Sequence, residues 1–404
     1  MVKMIKLDDI KKANENIKNS IKRTPLIECP LLNHITGANV YLKLENLQKT
    51  GSFKARGAIN KIMHLTEEEK KRGVIASSAG NHAQGVALGA SQAGIKATIV
   101  MPKFAPISKI LATKSYGAEV ILEGETFNDA YEHALKVQKE NDYVFLHAFD
   151  DDEIIAGQGT IGLEIFEDLE NVDVVLCPVG GGGIMGGIAV ALKTLKPNVK
   201  LIGVEAANMP SMKKALENNG PLLVTGPQTI ADGIAVGRVG NRTHEIFKDL
   251  IDDIVIVDED EIAQAILFLM EKSKVVAEGA GATALAAVLA NKVDVKGLNV
   301  AIVISGGNID ITNIEKIVNR AQIIQNKRAK LNILIKDMVG ELSKLTKIIS
   351  EEHTNILYLN QTRYSNNLKI NEQLLEIVIE CVDSNHLQGL LNKLTENNFK
   401  YTLV

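Results

Sequence analysis

From about residue 39 to residue 305 the chain alternates short β-branched runs with longer segments of helical period, and this alternation constrains the fold more than any other feature. A parallel neighbour is reached only by a crossover, normally a helix, so strands alternating with helices build a parallel sheet covered on both faces. Strands are predicted at 40–44, 74–77, 97–101, 119–122, 144–147, 172–178, 200–205, 254–257 and 299–305. In open α/β sheets ligands bind beyond the carboxyl ends of the strands. That rule directs the search to the residues after Ser77, after Val179 and at Ser305.

The 404 residues exceed one ordinary domain, and the plan changes near the C-terminus. A polar, basic stretch at 324–330 precedes a strand at 331–336 and a helical stripe of Leu342, Leu345 and Ile349. Strands at 355–362 and 375–382, a second stripe of Leu387, Leu390, Leu391 and Leu394, and a strand at 401–404 complete the order βαββαβ, a ferredoxin-like plan. The expected division is a catalytic body at 1–322, a linker at 323–330 and a tail domain at 331–404, the tail carrying no catalytic constellation.

Composition narrows the function. Hydrophobic residues make up 46% of the chain, enough for a sizeable core. Lys+Arg of 45 against Asp+Glu of 49 leaves a net charge of −4 with no basic block, which argues against a nucleic-acid partner. Cys29, Cys177 and Cys381 have no paired spacing, so neither disulfides nor a zinc knuckle is expected and a reducing, cytoplasmic location fits. The charged start of the chain and the lack of any run of ~18 apolar residues predict neither export nor a membrane span.

The sharpest local signal is Gly180, Gly181, Gly182 and Gly183, placed between an apolar strand and a helical segment. Four glycines in a row bare successive backbone N–H groups at a helix N-terminus, a natural phosphate cup. A tight packed turn is the plainer alternative. Residues 181–186 also satisfy GxGxxG, with Glu205 about 20 residues on, so a nicotinamide oxidoreductase is a competing reading.

Three further groups could carry chemistry. Lys54, within Thr50-Gly51-Ser52-Phe53-Lys54-Ala55-Arg56-Gly57, is useful as a nucleophile only if burial or a nearby cation frees its amine, and Arg56 and Lys43 are candidates for that cation. Ser77-Ser78-Ala79-Gly80-Asn81-His82 offers short polar groups and open amides suited to a substrate carboxylate, or else a set of N-caps. Ser305, ahead of Gly306 and Gly307, can hydrogen-bond a ring nitrogen without adding charge, or else is a turn residue.

Taken together these residues resemble the threonine dehydratases, a family of fold-type II, tryptophan synthase β-like pyridoxal-phosphate enzymes. The motifs SFKARGA, SAGNHAQG, AGQGTIGLEI, GGGG, ADG and SGGNID stand in family order, and the likeness covers about residues 5–320. The resemblance implies two parallel α/β lobes followed by the ferredoxin-like tail. It implies that Lys54 holds the cofactor aldehyde, Phe53 packs on the ring, and Asn81 binds the phenolic oxygen. Gly180 to Gly183 would hold the phosphate and Ser305 would face the pyridine nitrogen. Ser78, Ala79, Gly80, Asn81 and His82 would take the substrate. The implied reaction converts L-threonine to 2-oxobutanoate and ammonia, with L-serine going to pyruvate, and the implied assembly is a homodimer or homotetramer.

Some positions separate this chain from neighbouring families. Serine racemases resemble it closely but carry a second hydroxyl where Ala79 stands, so racemisation is disfavoured; they also place an acidic cation ligand where this chain has Ser211, so no metal is expected. Cysteine synthases have an SVKDR-like sequence in place of SFKAR. The tail resembles an ACT regulatory domain, with Asp337-Met338-Val339-Gly340 at the loop that commonly meets an amino-acid effector, although Val339 replaces the usual proline.

Overall fold

The computed structural model describes residues 5–364 and 368–404. It divides into two compact units, Met1–Ile311 and Thr312–Val404.

In the first unit the strands are β1 (Leu26–Glu28), β2 (Asn39–Leu44), β3 (Val74–Ser77), β4 (Ala97–Met101), β5 (Glu119–Leu122), β6 (Val144–Phe145), β7 (Val174–Pro178), β8 (Lys200–Ala206), β9 (Asp253–Val257) and β10 (Asn299–Ile304). They form two sheets. One has the order β1-β2-β10-β7-β8-β9, parallel except for the antiparallel edge strand β1; the other, β5-β4-β3-β6, is wholly parallel. The unbroken burial of β3, β4 and β7 is what parallel strands covered on both faces require. The smaller sheet is inserted between β2 and β7, giving the two expected lobes. β10 lies between β2 and β7 in the larger sheet, so Ser305 and the glycine run leave adjacent carboxyl ends.

Two local expectations change. β1 spans only three residues, too few for a periodic signal. The run at 144–147 leaves the sheet after Phe145, because His147 Nδ1 accepts the N–H groups of Phe149 and Asp150 (3.2 and 2.8 Å) and turns the chain away.

Helices Lys54–Met63, Asp152–Asp168 and Gly183–Leu195 form a closely packed spine. A Cβ on Gly157 would lie 2.7 Å from Gly57 Cα, and one on Gly187 would lie 2.5 Å from the Gly159 nitrogen. Bare backbone at both crossings brings the helices together more closely than side chains permit. Part of the AGQGTIGLEI motif is therefore structural, and the spine holds the start of the Lys54 helix and the glycine run in one frame. Beside it lies a buried charge cluster. Arg56 donates to Glu45 (2.8 Å) and Glu164 (2.7 and 2.9 Å), while Lys43 reaches Glu164 at 2.5 Å and the Thr24 carbonyl at 2.7 Å.

The second unit begins in helix Ile311–Ile324 and continues with β11 (Arg328–Lys336), helix Glu341–Glu351, β12 (Asn355–Thr362), β13 (Glu372–Glu380), helix Ser384–Glu396 and β14 (Lys400–Leu403), which from β11 onward is the βαββαβ order expected. Its sheet is antiparallel, ordered β12-β13-β11-β14. Alternate residues of β11 and β13 bury against Leu345, Ile349, Leu387, Leu390 and Leu394 of the two helices. β11 starts three residues before the expected Leu331, since Ala329 continues the buried alternation behind Arg328 and Lys330. Among the described residues no helix is long and apolar enough to cross a membrane.

Candidate active site

The site forms where segment 51–53 pairs with the chain leaving β10. Ser52 and Gly306 make an antiparallel bridge, the Phe53 N–H donates to the Ser305 carbonyl (3.1 Å), and the Gly307 N–H donates to Gly51 (2.9 Å). Lys54 then opens its helix directly beside Ser305. Its Nζ donates to the Ala148 carbonyl at 2.8 Å and lies 5.1 Å from the centre of the Phe53 ring. Burial lowers the ammonium pKa to about 8, against the opposing pull of Glu278.

That shift corrects the expectation that Arg56 or Lys43 frees the amine. Residues two apart on a helix do not face each other, and Arg56 points into the Glu45/Glu164 cluster with Lys43. Those carboxylates compensate both cations, and desolvation is what acts on Lys54.

The glycine run lies between β7 and helix Gly183–Leu195. Among the described residues no protein acceptor takes the N–H groups of Gly180, Gly181 or Gly182. Gly182 has φ +91°, which excludes other residues in practice. A Cβ on Gly181 would collide with the Phe149 ring, and one on Gly180 would sit 2.9 Å from Ile234 Cα. Thr243 Oγ1 fixes the loop from behind by donating to the Gly181 carbonyl (2.7 Å). The glycines thus meet a packing demand and still present open donors, so the cup fits a phosphate group. The dinucleotide reading loses its acid: Glu205 is fully buried and accepts the N–H groups of Met212 and Lys213 (2.7 and 2.9 Å) at the start of helix Ser211–Glu217.

Asn81 is the first residue of helix Asn81–Ala93, and Gly80 occupies the cap position with no side-chain cap bond. The N-cap alternative for Ser78 and Asn81 is therefore not realised. Ser78 Oγ accepts the Gly80 N–H (3.2 Å), and Ser78, Ala79, Gly80 and Asn81 all remain partly exposed. His82 is buried with Nε2 3.0 Å from the Leu146 carbonyl; burial first, and Lys54 second, lower its pKa to about 3. It is a neutral ring held on backbone, and the resemblance-implied place for it among the substrate groups finds no other contact here.

Loop 147–150 joins the two halves of the site, with the Ala148 carbonyl on Lys54 and the Phe149 ring on the glycine run. Two further residues of the site, Glu278 and Lys109, do not stand in any of the sequence motifs. Glu278, a buried carboxylate opening a run of small residues at 279–282, accepts from Asn81 Nδ2 at 2.6 Å. Lys109, on helix Ile107–Ser115 of the smaller lobe, pairs with Asp232 of the larger at 2.6 Å. A lone acid before small residues was a usable signal for the first; nothing in the sequence couples the second pair.

A protein-family profile described as pyridoxal-phosphate dependent enzyme matches residues 17–306. The L-threonine ammonia-lyase of Thermotoga maritima is 51% identical over 401 residues, covering 99% of this chain and 100% of its own. The processed form of threonine deaminase isoform 2 from Solanum lycopersicum superposes with a TM-score of 0.74 at 37% identity, over 79% of this chain and 95% of its own. Maize serine racemase superposes with a TM-score of 0.75 at 31% identity, over 80% and 100%.

Proposed function

This chain belongs to the family of pyridoxal-phosphate dependent enzymes, and on that premise we propose that it is an L-threonine ammonia-lyase, releasing 2-oxobutanoate and ammonia and also accepting L-serine. The observation that carries the reading is the desolvated Lys54 amine, held on the Ala148 carbonyl of the same loop whose Phe149 ring lies on the glycine run. When bound, pyridoxal phosphate supplies an electron sink conjugated to the substrate Cα.

The chain's own residues do the rest. The N–H groups of Gly180 to Gly183 hold the phosphate at a helix N-terminus. Phe53 would pack on the ring, Asn81 Nδ2 would donate to the phenolic oxygen, and the neutral Ser305 hydroxyl would face the ring nitrogen. Ser78 and the amides of Ala79, Gly80, Asn81 and His82 take the substrate carboxylate. Lys54 would hold the cofactor aldehyde, and its Nζ, buried at the site, would remove the Cα proton.

The maize serine racemase superposes as well as the threonine deaminase, so fold alone does not separate elimination from racemisation. Ala79 favours elimination, because a methyl group cannot return a proton to the opposite face of Cα. On this reading residues 1–322 are the catalytic body and 331–404 belong to a regulatory tail with a small-molecule effector at the 337–340 loop; the expected linker at 323–330 is shortened, because β11 already begins at Arg328 and the second compact unit at Thr312. There Met338 and Val339 are exposed and Asp337 is held by Arg363 at 2.9 and 3.1 Å. The edge strand β12 suits assembly into a homodimer or homotetramer, and three buried, unpaired cysteines suit a cytoplasmic location.

Incubation with L-threonine and with L-serine, followed by assays for oxo acid, ammonia and D-serine, tests the activity. Equal amounts of oxo acid and ammonia are expected from each substrate, with D-serine at background. D-serine as the main product would overturn the assignment.

A further inference from the structure

Glu278 is buried, lies beside the site and has no task in the reaction so far described. Burial, with Asp232, pushes its carboxyl up to about 7, against Asn81, Lys109 and Lys54. A carboxylate is costly in such a place unless something requires an acceptor there.

The requirement can be traced from one atom of fixed character. A carboxamide can turn end for end, and only its neighbours decide which end faces where. The Thr50 backbone carbonyl can only accept. Asn308 Nδ2 lies 2.7 Å from it and 2.7 Å from Asn81 Oδ1, so Asn308 gives its two hydrogens to two oxygens. Asn81 must then present oxygen to Asn308 and nitrogen to Glu278 Oε1, at 2.6 Å. Turned over, it would set an NH2 against an NH2 and an oxygen against a carboxylate.

Glu278 is itself held. Its N–H donates to the Gly306 carbonyl (3.1 Å) as helix Gly279–Leu289 begins. A Cβ on Gly306 would lie 3.3 Å from Asn81 Nδ2 and run into the Glu278 carboxylate, so the missing side chain leaves that carboxylate its room.

We propose that Glu278 is a positioning residue that, with Asn308, locks the Asn81 amide so that its second Nδ2 hydrogen is directed to the cofactor's phenolic oxygen. This rests on the function proposed above and adds two residues, Glu278 and Asn308, that act on the cofactor through Asn81. Without Glu278 the amide is held at its oxygen alone, by Asn308, its NH2 is no longer aimed, and the phenolic oxygen then keeps its own proton for a larger share of the time.

The test is the absorption spectrum and cofactor affinity of cofactor-free protein titrated with pyridoxal phosphate, for wild type, Glu278→Ala, Glu278→Gln, Asn81→Ala and the Asn81→Ala/Glu278→Ala double variant. Glu278→Ala is expected to move absorption from the long-wavelength phenolate band to the short-wavelength band and to weaken cofactor binding by about tenfold, the size of one oriented hydrogen bond. Glu278→Gln still presents a carbonyl oxygen to Asn81, so the wild-type spectrum is expected to return. Asn81→Ala should move the spectrum in the same direction at least as far, and the double variant should add nothing to the Asn81→Ala change.

A wild-type spectrum in Glu278→Ala, a Glu278→Gln spectrum that matches Asn81→Ala, or additive effects in the double variant would each overturn the proposal. Should Glu278→Ala not fold, the Glu278→Gln spectrum decides between the same two outcomes. A wild-type protein that takes up no cofactor would refute the proposed function instead, so the two failures are distinct.

Discussion

Lys54→Ala is expected to yield a folded protein whose production of 2-oxobutanoate from L-threonine is at least about a thousandfold below wild type, because one substitution removes both the covalent link and the base. Stability should change little. The side chain contributes a single hydrogen bond, to the Ala148 carbonyl, and its loss relieves a desolvated amine. Lys54→Arg should not restore turnover, since a guanidinium stays protonated. The same amine sets a pH dependence. In cofactor-free protein only the neutral form attacks the aldehyde, so cofactor uptake should rise with pH and level off above about 8. Oxo-acid release, a thermal melt and uptake rates between pH 6 and pH 10 check these points; appreciable turnover by Lys54→Ala would remove Lys54 from the chemistry.

Arg56→Met is expected to cost about 3–5 kcal/mol of stability, the range for removing one partner from a buried ionic cluster. Glu45 and Glu164 would be left in the core with Lys43 as the remaining cation. Burial works against the Glu164 carboxylate, yet Arg56 and Lys43 outweigh it and hold its pKa below the usual carboxylate range. A carboxylate with a depressed folded-state pKa stabilises the protein above its unfolded pKa, and that contribution disappears as pH falls through the folded value. Wild type should therefore lose this contribution only under acid conditions, whereas the deficit of Arg56→Met should be largest near neutral pH and shrink as pH falls and the undercompensated carboxylates take up protons. Urea unfolding followed by circular dichroism between pH 4 and pH 8 measures both. A loss under about 1 kcal/mol would contradict the reading of the cluster as a buried, mutually dependent network.

The parts of the fold that were legible are those in which a local pattern and the tertiary environment agree. β3, β4 and β7 are short β-branched runs in the sequence and strands buried throughout in the structure. The stripe Leu387, Leu390, Leu391 and Leu394 marks its helix because each of those residues faces one sheet. The placement of Asn81, the glycine run and Ser305 just beyond strands was legible from the strand pattern, and Lys54 stands next to a segment that pairs with the end of β10. What was not legible is mostly backbone or long-range. Ala148 acts through a carbonyl that any residue would supply. Glu278 meets Asn81 across 197 positions and through an ordinary carboxylate. Lys43 and Arg56 were misassigned because closeness in sequence to Lys54 was taken for closeness in direction, whereas the helix turns Arg56 away into the core.

Reduction of the cofactor-loaded protein with borohydride, followed by peptide mass spectrometry, bears most directly on what the chain does. The expected outcome is loss of the visible absorption and the mass of a reduced pyridoxal phosphate on the peptide that contains Lys54. A colourless protein, or a cofactor mass on some other lysine with Lys54 unmodified, would contradict it.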